Sequence, residues 1–215
     1  MLKKSIPILS IIAAAALLLI TANALTNLPE TQMTDDGGQI TADTIQRQKQ
    51  LVIDYIEEGN SLSAQAAFDI LLANFSSSDL FVQTVYELGE KFRAKRQFES
   101  AVLAHGYIVD NYPSDTLAMS AQKWLAASYI GSGDMESAEI ETQKLIDNYI
   151  NAPGIAQAVF EVADTYCWFG KNEKARPLYQ MVIDNWPEAQ HCLWAQMGIA
   201  IIHCRWQRFC CLGCC

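Results

Sequence analysis

Positive charge is scarce in this sequence. There are 15 Lys and Arg against 24 Asp and Glu, a formal charge of −9 that becomes −11 once Lys3 and Lys4 are set aside. Nucleic acids and anionic membrane surfaces are held by clustered Lys and Arg, so neither is an expected partner. Glycine and proline are also few, 11 and 6, and with aromatics at 10% this composition excludes a disordered chain. No phosphate loop, dinucleotide loop or His-Glu-x-x-His segment occurs. Only three histidines are present, and neither His191 nor His203 has a Ser or Cys with an acid partner arranged around it. An enzyme is therefore not expected, and no cofactor is expected. Cysteine is missing before Cys167.

One long apolar run does occur, at the start. Ile8 to Ile20 is interrupted only by Ser10, follows Lys3 and Lys4, and precedes the small-residue stretch Ala22-Asn23-Ala24. This reads as a secretory signal over 1–24, exporting the chain to a periplasm or beyond the cell. The alternative is an uncleaved N-terminal membrane anchor, the one route by which the chain would meet a membrane. No Cys follows the run, which closes the lipoprotein route. Residues 25–40 are polar, with Pro29 and Gly37-Gly38, and read as a linker.

Beyond the linker a short stretch recurs. Asp110-Asn111-Tyr112-Pro113, Asp147-Asn148-Tyr149-Ile150 and Asp184-Asn185-Trp186-Pro187 are spaced by 37 residues, with a worn copy at Ala73-Asn74-Phe75-Ser76. A constant period of this size marks stacked supersecondary units. In that register four columns appear: Leu51, Leu88, Leu125, Val162; Tyr55, Phe92, Tyr129, Tyr166; Gly59, Gly133, Gly170 with Arg96 as the one exception; and Ala64, Ala101, Ala138, Ala175. The aromatic column follows the Leu/Val column by four residues, hence on one helical face. Alanine sits where a second helix presses on the first. Glycine closes the first helix by taking positive φ. Arg96 cannot do so cheaply, and a different turn is expected there. Asp134, Glu99, Glu136 and Glu173 place negative charge near second-helix starts, and Pro113 and Pro187 end the second helix. Asn74-Phe75-Ser76 fits a glycosylation acceptor but is read as a turn cap.

Each unit is thus helix, tight turn, helix: 41–58 and 61–74, 79–95 and 98–111, 115–131 and 135–148, 154–169 and 172–185, with a fifth first helix near 189–206 that lacks its partner. Residues 41–206 form the repeats, and 207–215 are a Cys-rich tail that breaks the pattern and reads as truncated.

The pattern resembles the tetratricopeptide repeat, a helical hairpin with small, aromatic, Gly, Ala and Pro residues at set positions. Ala163, Tyr166, Gly170, Ala175, Tyr179 and Pro187 match in one copy, and Ala126, Tyr129, Gly133 and Ala138 in the copy before. The 37-residue spacing and the Tyr-Pro ending are similar to the subset in bacterial envelope proteins, among them the outer-membrane assembly lipoprotein and the Tol-Pal coordinator. The lipoprotein's acylated Cys has no counterpart here. The resemblance implies an all-α fold, an α-solenoid of hairpins forming a right-handed superhelix, whose first helices line a concave groove that takes a protein or peptide. The residues there outside the packing columns are Lys49 and Gln50; Tyr86, Glu87, Glu90 and Arg93; Lys123 and Trp124; and Gln157, Phe160, Glu161, Asp164 and Trp168. Aromatics mixed with both charge signs suit an extended peptide or a helix.

Seven cysteines remain to be placed. Disulfides are expected among the terminal ones in an oxidising compartment, and an odd count leaves one thiol over. Cys211 and Cys214 make a single Cys-x-x-Cys, short of the four converging ligands a structural zinc needs. The His191-Cys192 and His203-Cys204 pairs lie about 18 Å apart along one helix and cannot share an ion. Cys167 and Cys204, in equivalent columns of adjacent repeats, are too far apart for a disulfide. His105 shares its column with Phe68, Thr142 and Tyr179 and reads as a packing residue. A rival to the adaptor reading is an oligomerisation module, copies joined through the exposed fifth helix and terminal cysteines.

Overall fold

The computed structural model describes residues 42–212, with side chains through His203. The signal and linker segments and the last cysteines lie outside the described residues. Helices and turns make up all of the described chain. No described helix is long and apolar enough to cross a membrane. The chain divides into two compact units that meet in sequence at Asp79 and Leu80.

The first unit is one hairpin, α1 (Ala42–Glu57) and α2 (Ser61–Asn74). Its core is Ile45, Val52 and Ile56 of α1 against Ala64, Ala67, Phe68 and Leu71 of α2. The buried Gln48 amide donates to the Ala67 carbonyl at 2.7 Å and ties the two helices across the seam.

The second unit repeats the hairpin: α3 (Phe81–Ala94) with α4 (Phe98–Asn111), α5 (Ala118–Ser132) with α6 (Met135–Tyr149), and α7 (Ile155–Trp168) with α8 (Asn172–Asn185). Helix α9 (Gln190–Leu212) follows, the last of the described helices. Substantial packing links helices one or two apart in the chain, so that α5 touches both α3 and α7. The fold is an all-α solenoid of hairpins.

The repeat columns do their work here. Ala64, Ala101, Ala138 and Ala175 are all 0% exposed, which is what close approach of paired helices demands. Phe92 and Tyr166 are buried and Tyr55 and Tyr129 half-buried, while Leu88, Leu125 and Val162 complete the inner face. Asn60 and Asp134 cap α2 and α6, accepting from the Ser63 and Ser137 amides at 3.2 and 3.1 Å. The recurring Asn-aromatic pair ends the second helices. Asn74, Asn111 and Asn185 donate to the carbonyls of Ile70, Tyr107 and Met181 at 2.9–3.0 Å, folding each side chain back onto the last turn of its helix.

Two expectations need correcting. Arg96 does not make a different turn: it takes φ +60, beside Gly59 at +74, Gly133 at +92 and Gly170 at +75. The Gln97 amide donates to the Phe92 carbonyl at 2.9 Å, as Asn60 does to Tyr55 and Lys171 to Tyr166. The left-handed conformation costs a non-glycine residue about 1–2 kcal/mol, and the hairpin turn closed by the Gln97 amide takes it anyway. Secondly, the third hairpin starts at Ala118 rather than 115, because the Asp115 carboxylate takes the Leu117 amide at 2.8 Å and holds a turn ahead of the helix.

Along α9, Cys192, Ala195 and Ile202 are buried against the preceding hairpin. Ala200 and His203 occupy the columns of the buried Ala163 and Tyr166 yet are exposed, as no described helix follows α9.

Candidate functional site

The residues that vary between repeats meet on the first helices of the second unit. Trp124 of α5 is the centre. Its indole Nε1 donates to the Tyr86 hydroxyl of α3 at 3.0 Å. Its ring is covered by two cations, the Arg93 guanidinium 3.9 Å and the Lys123 ammonium 3.8 Å from the ring centroid. A cation over an indole face is held by the ring quadrupole, more strongly once desolvated. Lys123, only 9% exposed, also donates to Glu161 of α7 at 2.5 Å, and Gln157 donates to the other Glu161 oxygen at 2.8 Å. Tyr86, Trp124, Arg93, Lys123, Glu161 and Gln157 therefore form one chain of contacts across α3, α5 and α7.

The charges follow from burial and pairing. Burial opposes ionisation of Glu161, but hydrogen bonds from Lys123 and Gln157 and the Lys123 charge outweigh it and hold the carboxyl below its ordinary range. Burial pulls the Arg93 guanidinium down from its usual value, against the opposing pull of Glu90, Tyr86 and Glu161. Burial, with the Glu90 charge next, pushes the Tyr86 hydroxyl up. Tyr86 stays protonated and remains a donor as well as an acceptor.

A second cluster surrounds Phe160, whose ring lies 5.7 Å from Tyr179, 5.6 Å from His191 and 5.9 Å from Trp194. The neighbouring Asp164 accepts from the Tyr179 hydroxyl at 3.1 Å. Burial first, and the Asp164 charge second, raise that hydroxyl far above the usual phenol range. Glu87 is held on its own helix by the Gln83 amide at 2.6 Å. Lys49 and Gln50 belong to the first unit, where Gln50 bonds to Asp54 at 2.8 Å. Trp168 stands apart from all of these, 87% exposed at the end of α7.

Trp168 marks the rim of a cavity of about 440 Å³ in the second unit, lined by Arg93, Arg96, Phe98, Asp164, Trp168 and Phe169 among others. Its floor is an edge-to-face pair, Phe98 against Phe169, with centroids 6.1 Å apart. Sequence reasoning missed Arg96, Phe98 and Phe169. They were findable as departures from the repeat: Arg96 stands among Gly59, Gly133 and Gly170; Phe98 among Ser61, Met135 and Asn172; and Phe169 among Glu58, Lys95 and Ser132. Among the described residues no group of three or more His, Cys, Asp or Glu is placed to hold a metal.

Hairpin α7–α8 decides what this architecture resembles. Residues 157–189 match the tetratricopeptide repeat family model. Among solved structures, the chain is similar to the nearly identical TPR-like repeats of a candidate kinesin light chain of Podosopora anserina. Identity is 17%, 81% of this chain and 85% of that chain are covered, and the TM-score is 0.51. A variant of the same protein matches with 16% identity and the same coverage and TM-score. No curated protein matches the chain. The likeness is one of fold. The tetratricopeptide match spans the hairpin whose first helix carries Gln157, Phe160, Glu161, Asp164 and Trp168, all predicted to line the groove.

Proposed function

We propose that the protein is a non-catalytic adaptor that holds a peptide or protein partner on the shared face of α3, α5 and α7. The observation that carries this is the Tyr86–Trp124–Arg93–Lys123–Glu161 chain. It sets an amphipathic aromatic side chain among charged groups on one continuous face, the combination found at interface hot spots. The repeat columns are consumed in packing, whereas these residues differ from copy to copy, as partner-reading positions must.

The test is selection from a random peptide display library with the purified protein. Enriched peptides are expected to share one site and to bind a Tyr86→Ala/Trp124→Ala variant at least about tenfold more weakly, with helical content unchanged. Failure to enrich any peptide, or equal binding by the variant, rejects the reading. The adaptor is further proposed to work outside the cytoplasm, in cell-envelope assembly or maintenance. The support is the charged start, apolar run and Ala22-Asn23-Ala24 of the N-terminus together with the 37-residue Tyr-Pro repeat type. A mass corresponding to a chain beginning at Leu25 is expected from native cells; a full-length chain that pellets with membranes would favour the anchored alternative.

A second reading, self-association, has its own observation. Leu193, Trp194, Met197 and Ile201 make an exposed apolar stripe on α9 at helical spacing. Sedimentation is expected to show a dimer that Leu193→Asp/Met197→Glu converts to monomer. A wild-type monomer at high micromolar concentration discards this reading.

A further inference from the structure

We infer that the cavity at the ends of α3 and α7 is a dedicated subsite for an acidic side chain flanked by an apolar residue, within an extended peptide. The inference rests on the groove reading above and names what this end of the groove selects.

Four departures from the repeat converge on this cavity. Arg96 replaces glycine, Phe98 and Phe169 replace polar or smaller side chains, and Trp168 stands where Glu57, Ala94 and Gly131 stand elsewhere. Gly131 itself belongs to the arrangement, because a Cβ there would collide with the Phe98 ring that forms the floor. Phe98 and Phe169 pack on each other, and Phe98 on Gly131, but Arg96 and Trp168 are exposed and packing does not account for them.

Two of them are costly without return inside the fold. Arg96 occupies a positive-φ position that glycine fills in the other hairpins, and its exposed guanidinium makes no ion pair among the described residues. The turn geometry fixes the positive φ, but an exposed side chain there adds no packing, so keeping arginine in place of glycine at a cleft points to function. Trp168 leaves almost its whole side chain in water. Arg93 adds a third sign: its Nε is buried and has no hydrogen-bond partner, although its guanidinium face is stacked on Trp124. The rest of its guanidinium lines the cavity, where its planar donors can meet a ligand oxygen.

The chemistry of the occupant follows. Two guanidinium groups present planar donor forks suited to carboxylate or phosphate. Within the lining they meet one carboxylate, Asp164, which is engaged by the Tyr179 hydroxyl. Glu90 and Glu161 also act on Arg93 from beside the cavity, so Arg96 is the guanidinium with no ion pair among the described residues. The cavity is thus a local reversal of sign in a chain whose net charge is −9. An acidic ligand is disfavoured by the rest of the surface and welcomed here, so the site fixes register as well as identity. Trp168, Phe98 and Phe169 offer flat apolar surface to the neighbouring residue. Glutamate or aspartate and phosphoserine share the required chemistry.

The test uses short peptides blocked at both ends, so that the side chain alone supplies the anion. Acetyl-Ala-Phe-Glu-Ala-amide is titrated into protein with labelled tryptophans, and the Trp168 indole resonance is followed. Saturable shifts are expected, with the Gln-for-Glu peptide binding about tenfold more weakly. Arg96→Gly is the decisive variant, since it restores the residue of the other hairpins and the fold is secure. It is expected to raise the thermal midpoint while weakening the Glu peptide about tenfold, and Arg96→Lys is expected to fall between. A phosphoserine peptide that binds more tightly than the Glu peptide assigns phosphate as the anion; weaker binding assigns carboxylate. Equal affinity for Glu and Gln peptides, or unchanged binding by Arg96→Gly, overturns the inference. Library peptides that lose affinity on the Tyr86/Trp124 substitution but not on Arg96→Gly would leave the groove standing and remove the subsite. Failure of the library selection with a positive blocked-peptide titration would do the reverse.

Discussion

Tyr166→Ala is expected to cost about 3–5 kcal/mol in equilibrium unfolding. The ring is 1% exposed and lies in the continuous core of the last three hairpin elements, against residues such as Ala138, Ala175 and Val182. Two features keep the surroundings from collapsing into the vacated space. The facing columns are already alanine, with no longer side chain to swing inward, and the helix backbones are fixed by neighbours on both sides. The loss should also be local, because in stacked hairpins each unit couples mainly to its neighbours. Hydrogen exchange is expected to show lost protection in α6 to α9 well before α3 and α4. A loss below about 1 kcal/mol, or uniform loss of protection, would show that the aromatic column is not what holds the hairpins together.

Acidification is the second large effect. His105 of α4 is 0% exposed, edge-on to the Tyr86 ring, and packed so closely on α3 that a Cβ at Gly89 would overlap it. Burial, joined by the nearby Arg93 charge, lowers its pKa from the ordinary 6.5 to about 3. The folded state therefore holds the neutral imidazole, while the unfolded chain takes up a proton near pH 6.5. Stability from this group is fully present above that pH and is lost as pH falls from 6.5 towards 3. The slope is about 1.4 kcal/mol per pH unit, or roughly 3 kcal/mol by pH 4. His105→Phe, which places the Phe68 side chain of the same column at this site, is expected to flatten the stability profile between pH 6.5 and 4 whatever it does at pH 7. Parallel profiles for the two proteins would refute the assignment.

Much of the fold was legible because it is written four times. One alanine in a sequence says little, but Ala64, Ala101, Ala138 and Ala175 at a constant spacing specify a helix–helix contact, and all four are fully buried. The Arg96 turn was misjudged for an instructive reason. Local conformational preference was weighed alone, and a strain of about 1–2 kcal/mol is small beside the packing that the shared hairpin geometry secures. The residues predicted to line a groove were picked by register, and Tyr86, Arg93, Trp124, Lys123 and Glu161 among them touch one another. Their pairing was not readable, because whether Lys123 lies over Trp124 or reaches Glu161 depends on side-chain rotamers, and it does both. Lys49 and Gln50 belong to the other unit and take no part in that chain of contacts. The cavity was missed because attention went to the columns that repeat. Phe98 and Phe169 meet only through the space between hairpins, far apart in sequence, and nothing in a linear reading pairs them.

The short reach of the helix contacts has a kinetic meaning. Because substantial packing joins only helices one or two places apart, every early contact closes a small loop, and small loops close quickly and at little entropic cost. A chain wired in this way does not need its C-terminus before its N-terminal part takes shape. During synthesis each hairpin of the second unit can settle on the one before it as it emerges, so that α3 and α4 are already a surface when α5 arrives. The order in which the residues are made is then also the order in which the face carrying Tyr86, Trp124 and Glu161 is assembled.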